Sequence, residues 1–145
     1  MMETGLLGQI GIGACIALTH TGAAFGTGVV VSAIIGAWKK CYILNKPPPF
    51  ILVYFASVPL SQPIYSFVLA NVLANSTKLN SFQLLGFGVF AGIALGVSTY
   101  TQAKAAACAV DAFTETEQGF GLYVMILGFC ETVALFVMVF SMLFA

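Results

Sequence analysis

Of five acidic side chains in 145 residues, Glu131 alone lies inside an apolar stretch. A carboxylate at mid-bilayer depth costs roughly 2.5–3.5 kcal/mol on insertion scales, and such groups commonly serve ion or proton pathways. The plain alternative is a structural pair with Lys104, which stands close enough to the end of its own apolar stretch to snorkel. Other polar side chains fall at the same depth. In an antiparallel hairpin, residues equidistant from the turn are level: Gln102 and Glu131 flank residues 116 and 117, and Ser32 and Gln62 flank Pro47. If the two hairpins are themselves level, all four share one layer. Val58, Ser61, Gln62 and Tyr65 stand at i, i+3, i+4 and i+7, one face of a helix. Pro63 and Pro59 have no N–H, so the carbonyls of Pro59 and Phe55 lose their helical partners, and a kink that loosens the carbonyls around Val58 is expected. Such a stripe could also be plain interhelical hydrogen bonding, at about 0.6 kcal/mol per contact.

The elements that must carry these residues are membrane helices. The chain is 60% apolar and 7% charged, against roughly 25% charged in a soluble domain. Five Lys balance five acids and Arg is absent, which excludes the basic footprint of a nucleic-acid binder as well as a soluble catalytic domain. Crossing an apolar layer about 30 Å thick takes about 20 helical residues. Four uncut stretches meet that length, at about 7–36, 50–75, 81–110 and 119–144. The expected loops hold Lys39-Lys40 and Asn45 to Pro49, then Asn75 to Lys78, then Asp111 to Glu117. A β-barrel would alternate in segments of about ten residues, and these stretches do not. Three Lys in the first loop and Lys104 near the third, against Lys78 in the second, put loops one and three in the cytoplasm and both termini outside. Residues 1–6 carry no Lys or Arg and the first stretch is too long for a signal-peptide core, so it is expected to stay attached.

The chain repeats itself. Gly22, Gly26 and Ser32 recur as Gly92, Gly96 and Gln102 at an offset of 70, and Pro59-Leu60-Ser61 lies against Cys130-Glu131-Thr132 at 71. Two tandem-duplicated helical hairpins, residues 1–75 and 76–145, account for this. Gly88, Gly92 and Gly96, with Gly22 and Gly26, lay smooth strips along the first and third helices. Phe and Leu crowd the second and fourth. That segregation suggests a thin inner wall at which many copies converge in a ring. Cys15, Cys41, Cys108 and Cys130 have no metal-ligand spacing and read as small apolar fillers. His20 is about 18 Å along the helix from Ser32, too far to reach the polar layer. Trp38 beside Lys39 reads as an interfacial anchor.

Taken together, the chain resembles the proteolipid, known as c or K, of rotary V-type and A-type ATPases, which is the duplicated four-helix building block of the membrane rotor ring. The motifs are Pro59-Leu60-Ser61-Gln62-Pro63-Ile64-Tyr65-Ser66-Phe67, Thr101-Gln102-Ala103-Lys104-Ala105-Ala106-Ala107 and Cys130-Glu131-Thr132. The resemblance implies an all-α membrane protein whose Glu131 carries the ion. In sodium-translocating bacterial members the cation is held by that Glu, two Gln, a Thr hydroxyl and a backbone carbonyl. These fall on Glu131, Gln62, Gln102, Ser61 and the carbonyl of Val58, with Tyr65 bonding the Glu. Ser61 replaces the usual Thr and keeps the hydroxyl, and Leu60 occupies the place where an undivided hairpin would hold its own carboxylate.

Elementary chemistry agrees with that set. A small hard cation takes several oxygen ligands, whereas a proton needs only a buried carboxyl and one partner, which would leave two polar amides without a task. Na+ is therefore favoured over H+, with no organic cofactor. The resemblance further implies a stator membrane subunit supplying an Arg, a central-stalk subunit on the cytoplasmic loops, surrounding lipid and a bacterial cell membrane. ATP chemistry would lie on other subunits. A small secondary transporter and a purely structural four-helix protein are the competing classes.

Overall fold

The computed structural model describes residues 5–145; residues 1–4, the start of the segment considered for a signal peptide, lie outside the described residues. The described residues form helices and no strand. Four helices are long and apolar enough to cross a membrane: Leu6–Ile43, Phe50–Ala74, Ser81–Thr116 and Phe120–Phe144. The first is α1; the second span divides into α2 (Val53–Ser57) and α3 (Ser61–Ala74); the last two are α4 and α5.

Two boundaries differ from the sequence expectation. Lys39 and Lys40 belong to α1, and Asp111 to Thr116 belong to α4, so the first and third loops are shorter than expected. Charge marks where an apolar stretch leaves hydrocarbon, but the helical ladder runs on until the backbone breaks. The breaks come at Asn45 and Glu117, both at positive φ, followed by the Pro47 to Pro49 run and by Gly119. The projecting ends are tied together, with Lys40 Nζ at 2.7 Å from Glu115 and Lys46 Nζ at 3.8 Å from Glu117. Trp38 Nε1 donates to Pro49 O at 3.2 Å and holds the first loop against α1. At the other face, Asn80 and Gln83 form a reciprocal capping box that starts α4.

The closest contact in the bundle is α1 against α4. A Cβ built on Gly88 would strike the Gly11 carbonyl, one on Gly22 would strike the Gly96 backbone, and one on Gly92 would lie 2.9 Å from Cys15 Cα. A Cβ on Gly26 would lie 2.8 Å from Ala103 Cβ, and one on Gly96 would lie 2.6 Å from Leu18 O. All five glycines singled out for ring packing therefore sit in a seam within one chain, where the two backbones run parallel. Van der Waals contact of this closeness is what glycine supplies in lipid.

Two apolar clusters fill the interior on either side of a polar layer. Val30, Ile34, Leu52, Phe55, Ala106 and Val110 pack toward the first and third loops. Leu69, Leu73, Leu84 and Ala91 pack toward the second. Cys15 and Cys41 are buried, as fillers should be, but Cys108 is exposed. The large apolar side chains left outside, among them Phe25, Phe90, Phe129 and Phe136, suit a body whose solvent is lipid or another copy.

Candidate ion-binding site

The site begins with the two prolines of the second span. Between them the helix tightens into a 3-10 turn, Val58–Leu60, before regular helix resumes at Ser61. The expected break in the regular helix is therefore present at the expected place, as a 3-10 turn. Serine hydroxyls fold back onto the loosened backbone: Ser57 Oγ donates to Tyr54 O at 2.7 Å, Ser61 Oγ to Val58 O at 3.1 Å and Ser66 Oγ to Pro63 O at 2.8 Å. Irregular backbone at this depth is tolerated when neighbouring side chains satisfy it.

From that turn a continuous chain of hydrogen bonds crosses the bundle. Ser61 Oγ lies 3.3 Å from Gln62 Oε1. Gln62 Nε2 donates to Gln102 Oε1 on α4. Gln102 Nε2 in turn donates to Glu131 Oε2 at 2.7 Å and to Leu127 O at 3.1 Å. The other carboxylate oxygen, Glu131 Oε1, accepts from Tyr65 Oη at 2.7 Å. Each oxygen of Glu131 thus has one donor, and each bond has the short length typical of a charge-assisted one. Gln62 and Gln102 are fully buried, while Glu131 and Tyr65 remain half-buried at the edge of the layer.

The side chains of Ser61, Gln62, Tyr65, Gln102 and Glu131 are brought together, and the Val58 carbonyl faces the Ser61 hydroxyl. Lys104 is not a partner: it is exposed, with Nζ 5.4 Å from the centroid of the Tyr100 ring. Ser32 is exposed and bonds its own helix through Gly28 O at 2.8 Å, so it stands outside the network. His20 is likewise exposed and engages Ile16 O. One participant was invisible in the sequence, the backbone carbonyl of Leu127, because an acceptor common to every residue leaves no mark of its type.

Residues 85–144 match the family model for the ATP synthase C subunit. The match takes in most of α4 and all of α5, with Gln102 and Glu131 inside it and the second span outside it. No curated protein matches the chain. The family match and the four apolar spans together describe an integral membrane protein, with Glu131 in the matched part.

Chemically, the arrangement can hold a negative charge in a poorly hydrated place without a counter-lysine. It can also surround a small cation. Both amide groups turn about a terminal torsion that is broad and two-fold, so each Gln can present either nitrogen or oxygen to Glu131.

Proposed function

We propose that this chain is the proteolipid rotor-ring subunit of a V-type rotary ATPase and carries Na+ across the membrane on Glu131. The supporting observation is a lone carboxylate held between Tyr65 and Gln102 in the middle of four apolar spans, in the part that matches the ATP synthase family model. The ion ligands are Glu131, Gln62, Gln102, Ser61 and the Val58 carbonyl, with Tyr65 steadying the carboxylate. Around an ionised Glu131 alone, Gln62 and Gln102 turn their N–H groups toward acceptors; with a cation present, both amides reverse and offer oxygen. The five oxygens then replace much of the water that the cation gave up.

Charge state governs movement. Loaded with its cation, Glu131 is neutral and can face lipid at modest cost; emptied and ionised, it cannot, and it is held by the cation of a stator subunit or by water in an access channel. Copies of the chain form a closed ring in a bacterial cell membrane, its two hairpins arisen by duplication, with the first and third loops on the cytoplasmic side against the central stalk. Nucleotide hydrolysis belongs to other subunits.

In the assembled ATPase, Glu131→Gln abolishes ion-coupled ATP hydrolysis; retained coupling overturns the proposal. Carbodiimide labelling of Glu131 then identifies the ion. Protection by sodium at fixed pH marks a sodium site, and protection only by raising the pH marks H+ as the coupling ion.

A further inference from the structure

Thr27 on α1 breaks a rule that the other helical threonines keep. Thr19 donates to Cys15 O at 2.8 Å, Thr21 to Ala17 O at 2.9 Å and Thr99 to Leu95 O at 2.7 Å, and the remaining threonines within described helices also bond the carbonyl four residues back. The Thr27 hydroxyl is buried and has no hydrogen-bond partner, alone in this among the buried side-chain oxygens and nitrogens of the described residues. An unpaired hydroxyl is unfavourable in any protein interior, the more so where lipid can supply nothing.

The position of Thr27 points to the second span. It shares a face of α1 with Ala23, four residues before it, and Val30, three after it, both buried. Val30 belongs to the apolar cluster that holds Phe55, with Ala56 and Val58 packed against it. Height agrees. Cys15 Sγ lies 4.0 Å from Ser66 O, which levels α1 with the second span at that point. From there Thr27 is about 18 Å along α1 at about 1.5 Å per residue. The same distance back along the second span, with the Val58–Leu60 turn rising about 2.0 Å per residue, ends at Phe55.

Phe55 carries the matching defect. Its carbonyl would accept from residue 59 in a regular helix, and Pro59 has no N–H. Phe55 and Pro59 are both buried, so bulk water cannot take over that bond. A donor without an acceptor thus stands level with an acceptor deprived of its donor. We propose that one buried water joins them, accepting from the Thr27 hydroxyl and donating to the Phe55 carbonyl, and that Thr27 is thereby a positioning residue of the cation site. Buried waters commonly bridge polar groups that the fold leaves unpaired. The bridge pins the backbone where it enters the 3-10 turn. Val58, three residues further on, supplies the carbonyl ligand and accepts from Ser61 Oγ at 3.1 Å. The functional half of the inference rests on Glu131 being a sodium carrier; the bridge itself does not.

The test is a double-mutant cycle in the purified oligomer. Thr27→Val keeps the shape and removes the hydroxyl, Thr27→Ser keeps the hydroxyl, and Pro59→Ala returns an N–H to the Phe55 carbonyl. Thr27→Val is expected to raise the sodium concentration that half-protects Glu131 from carbodiimide by about fivefold, and Thr27→Ser to stay within about twofold of the parent. In the Pro59→Ala background, Thr27→Val should change it by less than about twofold. An equal loss in both backgrounds, a loss in Thr27→Ser as large as in Thr27→Val, or a lowered denaturation midpoint with an unmoved sodium requirement overturns the proposal. Should Pro59→Ala fail to assemble, an electron-microscopy map that resolves waters decides: density between Thr27 and the Phe55 carbonyl is expected, and its absence overturns the bridge. If the parent oligomer shows no sodium protection, the sodium reading has failed, and the same map still decides the bridge.

Discussion

Replacing Gln102 by Leu separates a cation site from a mere polar contact. Gln102 donates to Glu131 Oε2 at 2.7 Å and to Leu127 O at 3.1 Å, and accepts from Gln62. Leu has a similar volume, so packing is nearly conserved while all three bonds are lost. The bond to the carboxylate is worth about 1.5–3 kcal/mol, and leaving the fully buried Gln62 amide without its acceptor costs about 1–3 kcal/mol more. The same substitution deletes one of the five proposed cation oxygens. The N–H bond to the carboxylate belongs to the cation-free state, so affinity falls through the lost oxygen. Valued like a bond to a charged group, about 1.5–3 kcal/mol, its loss raises the sodium concentration that half-protects Glu131 from carbodiimide by about ten- to a hundredfold at about 1.4 kcal/mol per tenfold. The assay is labelling of Glu131 in detergent-purified oligomer across a sodium titration, with oligomer integrity checked by native electrophoresis. A half-protecting concentration within about twofold of the parent, in an oligomer that stays intact, refutes the cation role of Gln102.

Tyr65→Phe removes one of the two donors to Glu131 without opening a cavity, so it is expected to weaken sodium protection about tenfold while leaving oligomer stability nearly unchanged. A Cβ on Gly88 would overlap the Gly11 backbone, which cannot yield unless the helices part; Gly88→Ala should therefore destabilise the bundle by about 1–3 kcal/mol in chemical denaturation. Gly28→Ala, whose Cβ meets nothing in the chain, should leave the isolated protein unaffected or slightly stabilised. Lys40→Ala breaks an exposed pair with Glu115 and is expected to leave the denaturation midpoint unchanged.

Much of the site was legible because membrane insertion penalises polar groups severely enough that each survivor is informative. Glu131, Gln62 and Gln102 fall at one level by counting from the loops, and Pro59 with Pro63 locate the break in the second span from residue type alone. Ser32 is misplaced by the same counting, since depth fixes level but says nothing of which way a helix face turns; Ser32 looks outward. The expected ends of α1 and α4 come too early because hydropathy reports the edge of the hydrocarbon and the ladder stops only where φ turns positive.

The asymmetry between the halves follows from the 3-10 turn in the second span. Each half runs a long helix and then a 25-residue span, 38 and 25 residues followed by 36 and 25. Where the second half places Glu131 in unbroken helix, the first places Leu60 in a 3-10 turn, with its side chain 50% exposed toward the surroundings. A carboxylate at Leu60 would stand outside the network and away from both amides. What the broken span contributes instead is the receiving surface: a loosened carbonyl at Val58, the Ser61 hydroxyl, Gln62 and the Tyr65 phenol. On the duplicated reading the two hairpins have divided one task, the first giving the cradle and the second the charge, so that each chain couples a single ion. Installing Glu at Leu60 should therefore add no second site; an additional sodium-protected carboxyl in Leu60→Glu would show that the first hairpin kept a carrier's geometry and that the 3-10 turn does not decide where the ion sits.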